Sequence, residues 1–158
     1  MEFSITSTEF QQGEEIPTKF TCEGRDHSPS LAWTAGPSDT RSFVLIVDDP
    51  DAPDPDAPKM TWVHWLLFNL PASSRGLSEA IESNELPVGT GEGINDWKRT
   101  GYGGPCPPIG RHRYFFKLYA LDTMLTLDRP TKPALERAMH GHILAETVLM
   151  GTYQKQRK

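Results

Sequence analysis

The chain has 158 residues, 21 acidic against 16 basic side chains and a formal charge of -5. That length makes one domain, 1–158, which buries roughly two-thirds of its unfolded surface and can build a core without staples. The acidic balance excludes the basic face that non-specific nucleic-acid binding needs, and a 37% hydrophobic content spread along the chain excludes general disorder.

Fourteen prolines and thirteen glycines punctuate the chain and exclude long helices over most of it. Short strands are predicted near Phe3–Ile5 and at Leu31–Trp33. Phe43-Val44-Leu45-Ile46-Val47 is a continuous apolar run between polar turns, the pattern of a strand buried on both faces. Thr61 to Leu70 is a longer strand that Pro71 ends. Period two puts Trp62, His64, Leu66, Phe68 and Leu70 on one face and Val63, Trp65 and Leu67 on the other. Segment 72–104 is irregular, and Gly89-Thr90-Gly91-Glu92-Gly93 within it reads as flexible. Arg113 to Leu121 is a third long strand. Thr131 caps a short helix, with Pro133 in its first turn and Leu135, Ala138 and Met139 at helical spacing. That helix fades near Gly141-His142. Thr147 to Tyr153 is strand-like, and Gln154 to Lys158 is expected to fray. Many punctuated strands with one late helix make an all-β-dominated β-sandwich.

No stretch approaches the roughly 20 apolar residues that span a bilayer. Met1-Glu2-Phe3-Ser4 has neither a basic region nor an apolar signal core, so a cytoplasmic location is expected. Two cysteines are too few for a disulfide framework, and in a reducing cytosol Cys22 and Cys106 are expected as free thiols.

Three clusters hold the residue types that bind or react. Asp48-Asp49-Pro50-Asp51-Ala52-Pro53 leaves the Phe43–Val47 strand. A carboxylate there can fix the tautomer of a histidine or accept N–H groups, although the same residues also make an ordinary acidic turn. In Trp62-Val63-His64-Trp65, an indole and an imidazole point the same way, and the imidazole needs a partner inside an apolar strand. A lone histidine in such a place is more often a satisfied core residue than a ligand contact. Gly101-Tyr102-Gly103-Gly104-Pro105-Cys106-Pro107-Pro108-Ile109-Gly110 then runs into Arg111-His112-Arg113-Tyr114. Closely spaced glycines let N–H groups converge on an anion, and His112 and Tyr114 share a face at the strand start. Together the clusters suit a small negatively charged group held at strand ends between aromatic walls.

These segments, in this order, resemble the phosphatidylethanolamine-binding (Raf kinase inhibitor-like) family in its bacterial and archaeal branch. The resemblance runs through Ser28-Pro29-Ser30-Leu31-Ala32-Trp33, Asp49-Pro50-Asp51-Ala52-Pro53, Trp62-Val63-His64-Trp65, Gly104-Pro105-Cys106-Pro107-Pro108 and Gly110-Arg111-His112-Arg113-Tyr114, covering about residues 3–153. It implies a sandwich of antiparallel sheets with a small pocket at one end for phosphate-type anions or the head group of a phospholipid. Carried over by motif, the pocket is lined by Asp49, Trp62, His64, Pro107, Pro108, His112 and Tyr114. Asp51 and Pro53 shape its loop, and Gly103 and Gly104 supply N–H groups. The second Asp-Pro-Asp-Ala-Pro copy, 54–58, is spacer. Animal members carry a terminal helix beside the pocket that this chain lacks after its last strand, which implies a more open mouth. The two cysteines lie close to the motifs and could approach one another.

The leading function is thus a binding module for a small anionic ligand, without cofactor or metal, that acts on a kinase or protease partner. Oligomeric state is left open, a homodimer included. One alternative is a serine-protease or kinase inhibitor that works through segment 72–104, independently of the pocket. A phosphoester hydrolase is weaker, because no Gly-x-Ser-x-Gly elbow and no His-Glu-x-x-His motif occurs and Cys106 is wedged between prolines. His140 and His142, two apart near a helix end, suit packing or solvent better than a metal.

Overall fold

The three longest apolar runs become the central strands of one antiparallel sheet. The computed structural model describes residues 2–156. Its strands are β1 (Ile5–Thr6), β2 (Leu31–Trp33), β3 (Ser42–Ala52), β4 (Met60–Pro71), β5 (Gly76–Leu77), β6 (Gly91–Glu92), β7 (His112–Leu121) and β8 (Ile143–Tyr153), with helix α1 (Lys132–Met139) between the last two. The large sheet has the order β6-β4-β3-β7-β8 and the small one β1-β2-β5, and every strand pair in them is antiparallel. The fold is the β-sandwich expected, with one short helix near the C-terminus.

The main core lies between the sheets. Phe43, Leu45 and Val47 from β3, Trp65 and Leu67 from β4, and Phe116 and Leu118 from β7 meet Ile5, Leu31, Trp33 and Leu77 of the small sheet. A second cluster forms on the other face of the large sheet, where Val44, Ile46, Leu66 and Phe68 meet Leu135 and Met139 of α1. The Phe43–Val47 run is apolar without a break because each face of β3 has its own cover. Each fully buried side chain of this kind contributes about 1.5–3 kcal/mol. Thr131 caps α1, its Oγ1 accepting the Ala134 N–H, and Gly141 leaves it in the left-handed region at φ +86°.

β4 departs from the alternation expected of it. Val47 pairs with Trp65 and Asp48 with Val63, which leaves His64 as an extra residue; a second irregularity sets Phe43 on Leu70 and Leu45 on Leu67. The two bulges change the parity of the strand. Trp65, Leu67 and Leu70 therefore face the inter-sheet core, while Val63, Leu66 and Phe68 face the helix side. Asn69 takes up the second bulge at φ +57°, its amide donating to the Leu125 carbonyl and its Oδ1 accepting the Leu125 N–H, both at 2.8 Å.

Other expectations change as well. β3 continues through Asp48–Ala52, which the sequence suggests is loop, and β8 starts at Ile143. Gly91 and Glu92 pair with Phe68 and Leu67 as β6. A Cβ on Gly91 would stand 2.2 Å from the Phe68 ring, so glycine serves a close approach there and not flexibility. Of the tail expected to fray, residues 154–156 are outside any strand and 157–158 lie outside the described residues.

Candidate functional site

The candidate site sits where β3 ends and β4 and β7 begin. Asp49 pairs with Trp62 across one interface, and Asp48 pairs with Phe115 across the other, so the three strands bring their polar ends together. Successive strand residues alternate in face. Asp48 accordingly turns to the far side, where its Oδ2 accepts from Lys132 Nζ at 2.7 Å and Lys117 Nζ at 3.1 Å. Asp49 turns to the near side and borders a pocket of about 320 Å³.

His112 and Asp49 form the floor. His112 Nδ1 lies 2.5 Å from Asp49 Oδ2, and its Nε2 lies 2.9 Å from the Ile109 carbonyl and 3.1 Å from the Pro53 carbonyl. Carbonyl oxygens only accept, so Nε2 carries a proton and donates. Two lone pairs cannot face each other at the Asp49 contact, so a further proton lies between the two side chains, and the pair is neutral as a unit. Burial pushes the Asp49 carboxyl up, while its bonds from His112 and from the Asp51 N–H pull the other way. Asp51 does not reach the pocket. It accepts from Arg113 Nε, NH2 and backbone N, each at 2.9 Å, and Arg113 holds its carboxyl below the ordinary range.

The bulge sets His64 in the wall, and only 3% of the residue is exposed. Its Nδ1 stands 2.6 Å from the Gly103 carbonyl, so Nδ1 is the protonated nitrogen and Nε2 carries the lone pair. Burial is the largest influence on the ring and lowers its pKa to about 4, which keeps it neutral. Trp97 and Tyr114 meet it edge-on, with ring centroids at 5.1 and 5.2 Å, and Trp97 meets Trp62 at 5.6 Å. Tyr114 stacks beside His112 at 6.3 Å. Its hydroxyl is buried with no hydrogen-bond partner among the described residues, and burial raises its pKa.

The seven side chains carried over by motif, Asp49, Trp62, His64, Pro107, Pro108, His112 and Tyr114, all border this pocket, and Pro53 joins them directly. Gly103 and Gly104 do not. The Gly103 N–H donates to the His64 carbonyl at 3.1 Å and the Gly104 N–H to Asp26 Oδ1 at 2.8 Å, so neither is free for an anion. Their role is close packing. A Cβ on Gly103 would stand 2.2 Å from the Trp97 ring, and one on Gly104 would stand 2.3 Å from the Phe20 carbonyl. His112 likewise has no nitrogen left to offer a ligand.

Trp97, Met60, Ala52 and Cys106 also border the pocket, although the sequence motifs do not place them there. Trp97 has one signal in the sequence, a large aromatic side chain isolated in the polar run Asn95-Asp96-Trp97-Lys98-Arg99. Asn95 holds that run, its Oδ1 accepting the Trp97 N–H at 2.9 Å and its amide donating to the Gly101 carbonyl at 3.0 Å. Trp97 and Met60 are 37% and 48% exposed and form an apolar rim. The free-thiol expectation is overturned, because Cys22 and Cys106 form a disulfide. The bond ties the 18–24 turn to the proline loop, beside the hydrogen bond from the Cys22 N–H to the Pro105 carbonyl. His142 pairs with Asp122 at 2.9 Å and does not border the pocket.

Comparison with known proteins places these features in company. A family model described as phosphatidylethanolamine-binding protein matches residues 6–154. A UPF0098 protein of Methanothermobacter thermautotrophicus is 45% identical over 92% of this chain and 95% of its own length. A UPF0098 protein of Aquifex aeolicus is 43% identical over 96% of this chain and 88% of its own. Among solved structures, a homologue of phosphatidylethanolamine-binding proteins from Chlamydia trachomatis superposes with a TM-score of 0.88 at 39% identity, covering 98% of both chains. E. coli YbcL superposes with a TM-score of 0.88 at 33% identity, over 99% of this chain and 100% of that one. A carboxypeptidase Y inhibitor, solved with its cognate proteinase, shares the fold at a TM-score of 0.62 and 19% identity, over 98% of this chain and 84% of that one. Among the described residues no helix is long and apolar enough to cross a membrane.

Proposed function

This chain belongs to the phosphatidylethanolamine-binding protein family, and we propose that it is a binding module whose pocket holds a small phosphate-type group of a phosphorylated ligand. The observation that carries this reading is the Tyr114 hydroxyl, buried, without a partner among the described residues, in a residue that borders a pocket of about 320 Å³. A buried orphan hydroxyl costs roughly 1–3 kcal/mol, and an anion oxygen at hydrogen-bond distance removes that cost. The aromatic walls of Trp62, Trp97 and Tyr114 exclude water and strengthen any such bond. Modulation of a kinase or protease partner would follow from occupancy of this pocket.

The test is an NMR titration of the histidine and tyrosine side chains with inorganic phosphate and then phosphoethanolamine. Saturable shifts at His64 and Tyr114 are expected, with the Tyr114 shift lost in His64→Ala while the fold stays intact. Unmoved resonances in a folded protein would refute the reading and bring forward inhibition through segment 72–104.

A further inference from the structure

The outer edge of β8 is open along its first half, and a second cavity lies beside it. β8 ends the large sheet in the order β6-β4-β3-β7-β8. An edge strand presents unpaired N–H and C=O groups on every second residue. Around Met150 and Thr152 the chain's own segment 12–16 takes them up. The Gly13 N–H donates to the Met150 carbonyl at 2.7 Å, the Thr152 N–H to the Glu14 carbonyl at 3.0 Å, and the Ile16 N–H to the Thr152 carbonyl at 2.8 Å. One step further the cover is a side chain. Gln12 Nε2 donates to the Val148 carbonyl at 3.0 Å and its Oε1 accepts the Met150 N–H at 2.6 Å, so this amide stands in for a peptide group. Beyond it the cover stops. By period two the Val148 N–H and both backbone groups of Glu146 point the same way as those of Met150 and Thr152, and none of them has a partner among the described residues.

The two faces beside this edge differ in chemistry. On one, Leu149 belongs to the inter-sheet core and Thr147 Oγ1 accepts the Ile5 N–H at 3.3 Å. A side chain on that face of an added strand therefore points between β8 and β1. There Ile5, Phe10 and Leu149, all buried, line a cavity of about 350 Å³ with Gln11 and Gln12 at its border. On the other face Glu146 is exposed, stands opposite Tyr119 and has no ion pair among the described residues. Lys117, opposite Val148, is held by Asp48 at 3.1 Å and leaves that carboxylate unanswered.

An open edge of this kind accepts a further strand. Charge decides against a second copy of β8. Paired antiparallel about Glu146, it would set two carboxylates opposite each other, and each chain already carries a formal charge of -5. We propose that the β8 edge at Glu146 and Val148 docks an extended segment of a basic partner protein, with apolar side chains toward the Ile5, Phe10 and Leu149 cavity and lysine or arginine side chains toward Glu146. Gln12 sets where the added strand ends, because its amide already fills the next position. This site shares no lining residue with the pocket where β3, β4 and β7 meet.

The probe is a capped peptide of about seven residues that alternates lysine with valine, titrated into the isotope-labelled full chain. The Glu146 and Val148 amide resonances are expected to shift saturably, and their hydrogen exchange to slow roughly tenfold or more at saturating peptide. The same peptide N-methylated at every residue cannot form the ladder and is expected not to bind. Replacing its lysines with glutamates should weaken binding roughly tenfold or more. Glu146→Lys should reverse that preference, and Val148→Pro, which removes an N–H that β7 does not use, should abolish binding; urea midpoints of both variants check that the fold holds. If the N-methylated peptide binds equally, charge alone attracts it and the proposal falls. Shifts of these amides that depend on protein concentration without peptide would make a second copy the occupant and overturn it. No binding of the lysine–valine peptide overturns it too, and leaves the anion-pocket reading standing.

Discussion

A neutral, buried His64 links stability to acid in a way that can be worked out in advance. Its folded pKa is lowered to about 4, chiefly by burial, whereas an unfolded histidine titrates at 6.5. Between those values the unfolded state binds a proton that the folded state does not, so stability rises with pH across the window and falls on acidification. The contribution is complete above pH 6.5 and is lost progressively as the pH drops toward 4. A tenfold difference in proton affinity between the two states is worth about 1.36 kcal/mol, and integrating from pH 7 to pH 4 gives a loss of about 3 kcal/mol from this residue. Because the residue is 3% exposed, solvent screening takes little from that figure. Urea denaturation of the wild type and of His64→Gln at pH 7, 5.5 and 4 isolates the effect, since the remaining carboxylates and histidines are common to both. The variant should lose about 3 kcal/mol less than the wild type on going to pH 4. Equal losses, or an NMR titration of His64 in the folded protein near 6.5, would refute the geometry that buries the ring and commits its Nδ1 proton to Gly103.

Three further perturbations probe the supports of the site. Gly103→Ala puts a Cβ 2.2 Å from the Trp97 ring, and the partly exposed indole is the group that can move; a destabilisation of about 1–3 kcal/mol and greater access of a fluorescence quencher to tryptophan are expected. Reducing the disulfide releases cysteines 84 residues apart in sequence, which the chain-entropy account sets at roughly 4–5 kcal/mol; urea midpoints of the oxidised chain and of Cys22→Ser/Cys106→Ser measure it, and an unchanged midpoint would contradict the bond. Asp51→Asn removes the carboxylate that Arg113 grips with two nitrogens, and with Arg113 half exposed the expected loss is about 1 kcal/mol at pH 7. Arg113 lowers the Asp51 pKa, so that stabilisation is present above the ordinary carboxylate value of 3.8 and fades below it; the wild type and the variant should converge in stability under strong acid.

The elements legible in the sequence are those with a strong period or a clear boundary. The unbroken run Phe43–Val47 announces a strand covered on both faces, and Thr131 with Pro133 announces the start of α1. The polar strand ends are legible too, because histidine, aspartate and tyrosine at the ends of apolar runs call for partners. What cannot be read is the parity of β4. A strict alternation puts Leu66 and His64 on one face, and only the pairing with β3 shows that His64 is the inserted residue. The work of Gly103 and Gly104 is hidden for a related reason. A glycine pair shows that the backbone needs room, but not whether a ligand or an indole fills that room. The approach of Cys22 to Cys106 follows from their place beside the motifs, but the sequence alone leaves them as free thiols, and only the docking of the 18–24 turn on the proline loop shows them joined.

The same distinction decides how the pocket recognises charge. Read along the chain, two histidines beside a glycine loop suit a small anion, and Arg111 and Arg113 flank one of them. In the fold, the residues of β7 alternate between two carboxylates of β3: Arg113 meets Asp51, and His112 meets Asp49. Each cation near the pocket is neutralised before any ligand enters. On the anion-pocket reading proposed above, binding is left to the polarity of single atoms of His64 and Tyr114, placed between aromatic walls where such bonds are strong. A well of bare positive charge would favour the most highly charged anion and would weaken steeply with salt. A matched donor and acceptor favour the anion with the right proton count, with affinity that depends on pH far more than on ionic strength. Measuring methyl phosphate affinity against salt at fixed pH, beside its pH profile, separates the two designs: a steep salt slope with a flat pH profile would return the pocket to the positive-well description.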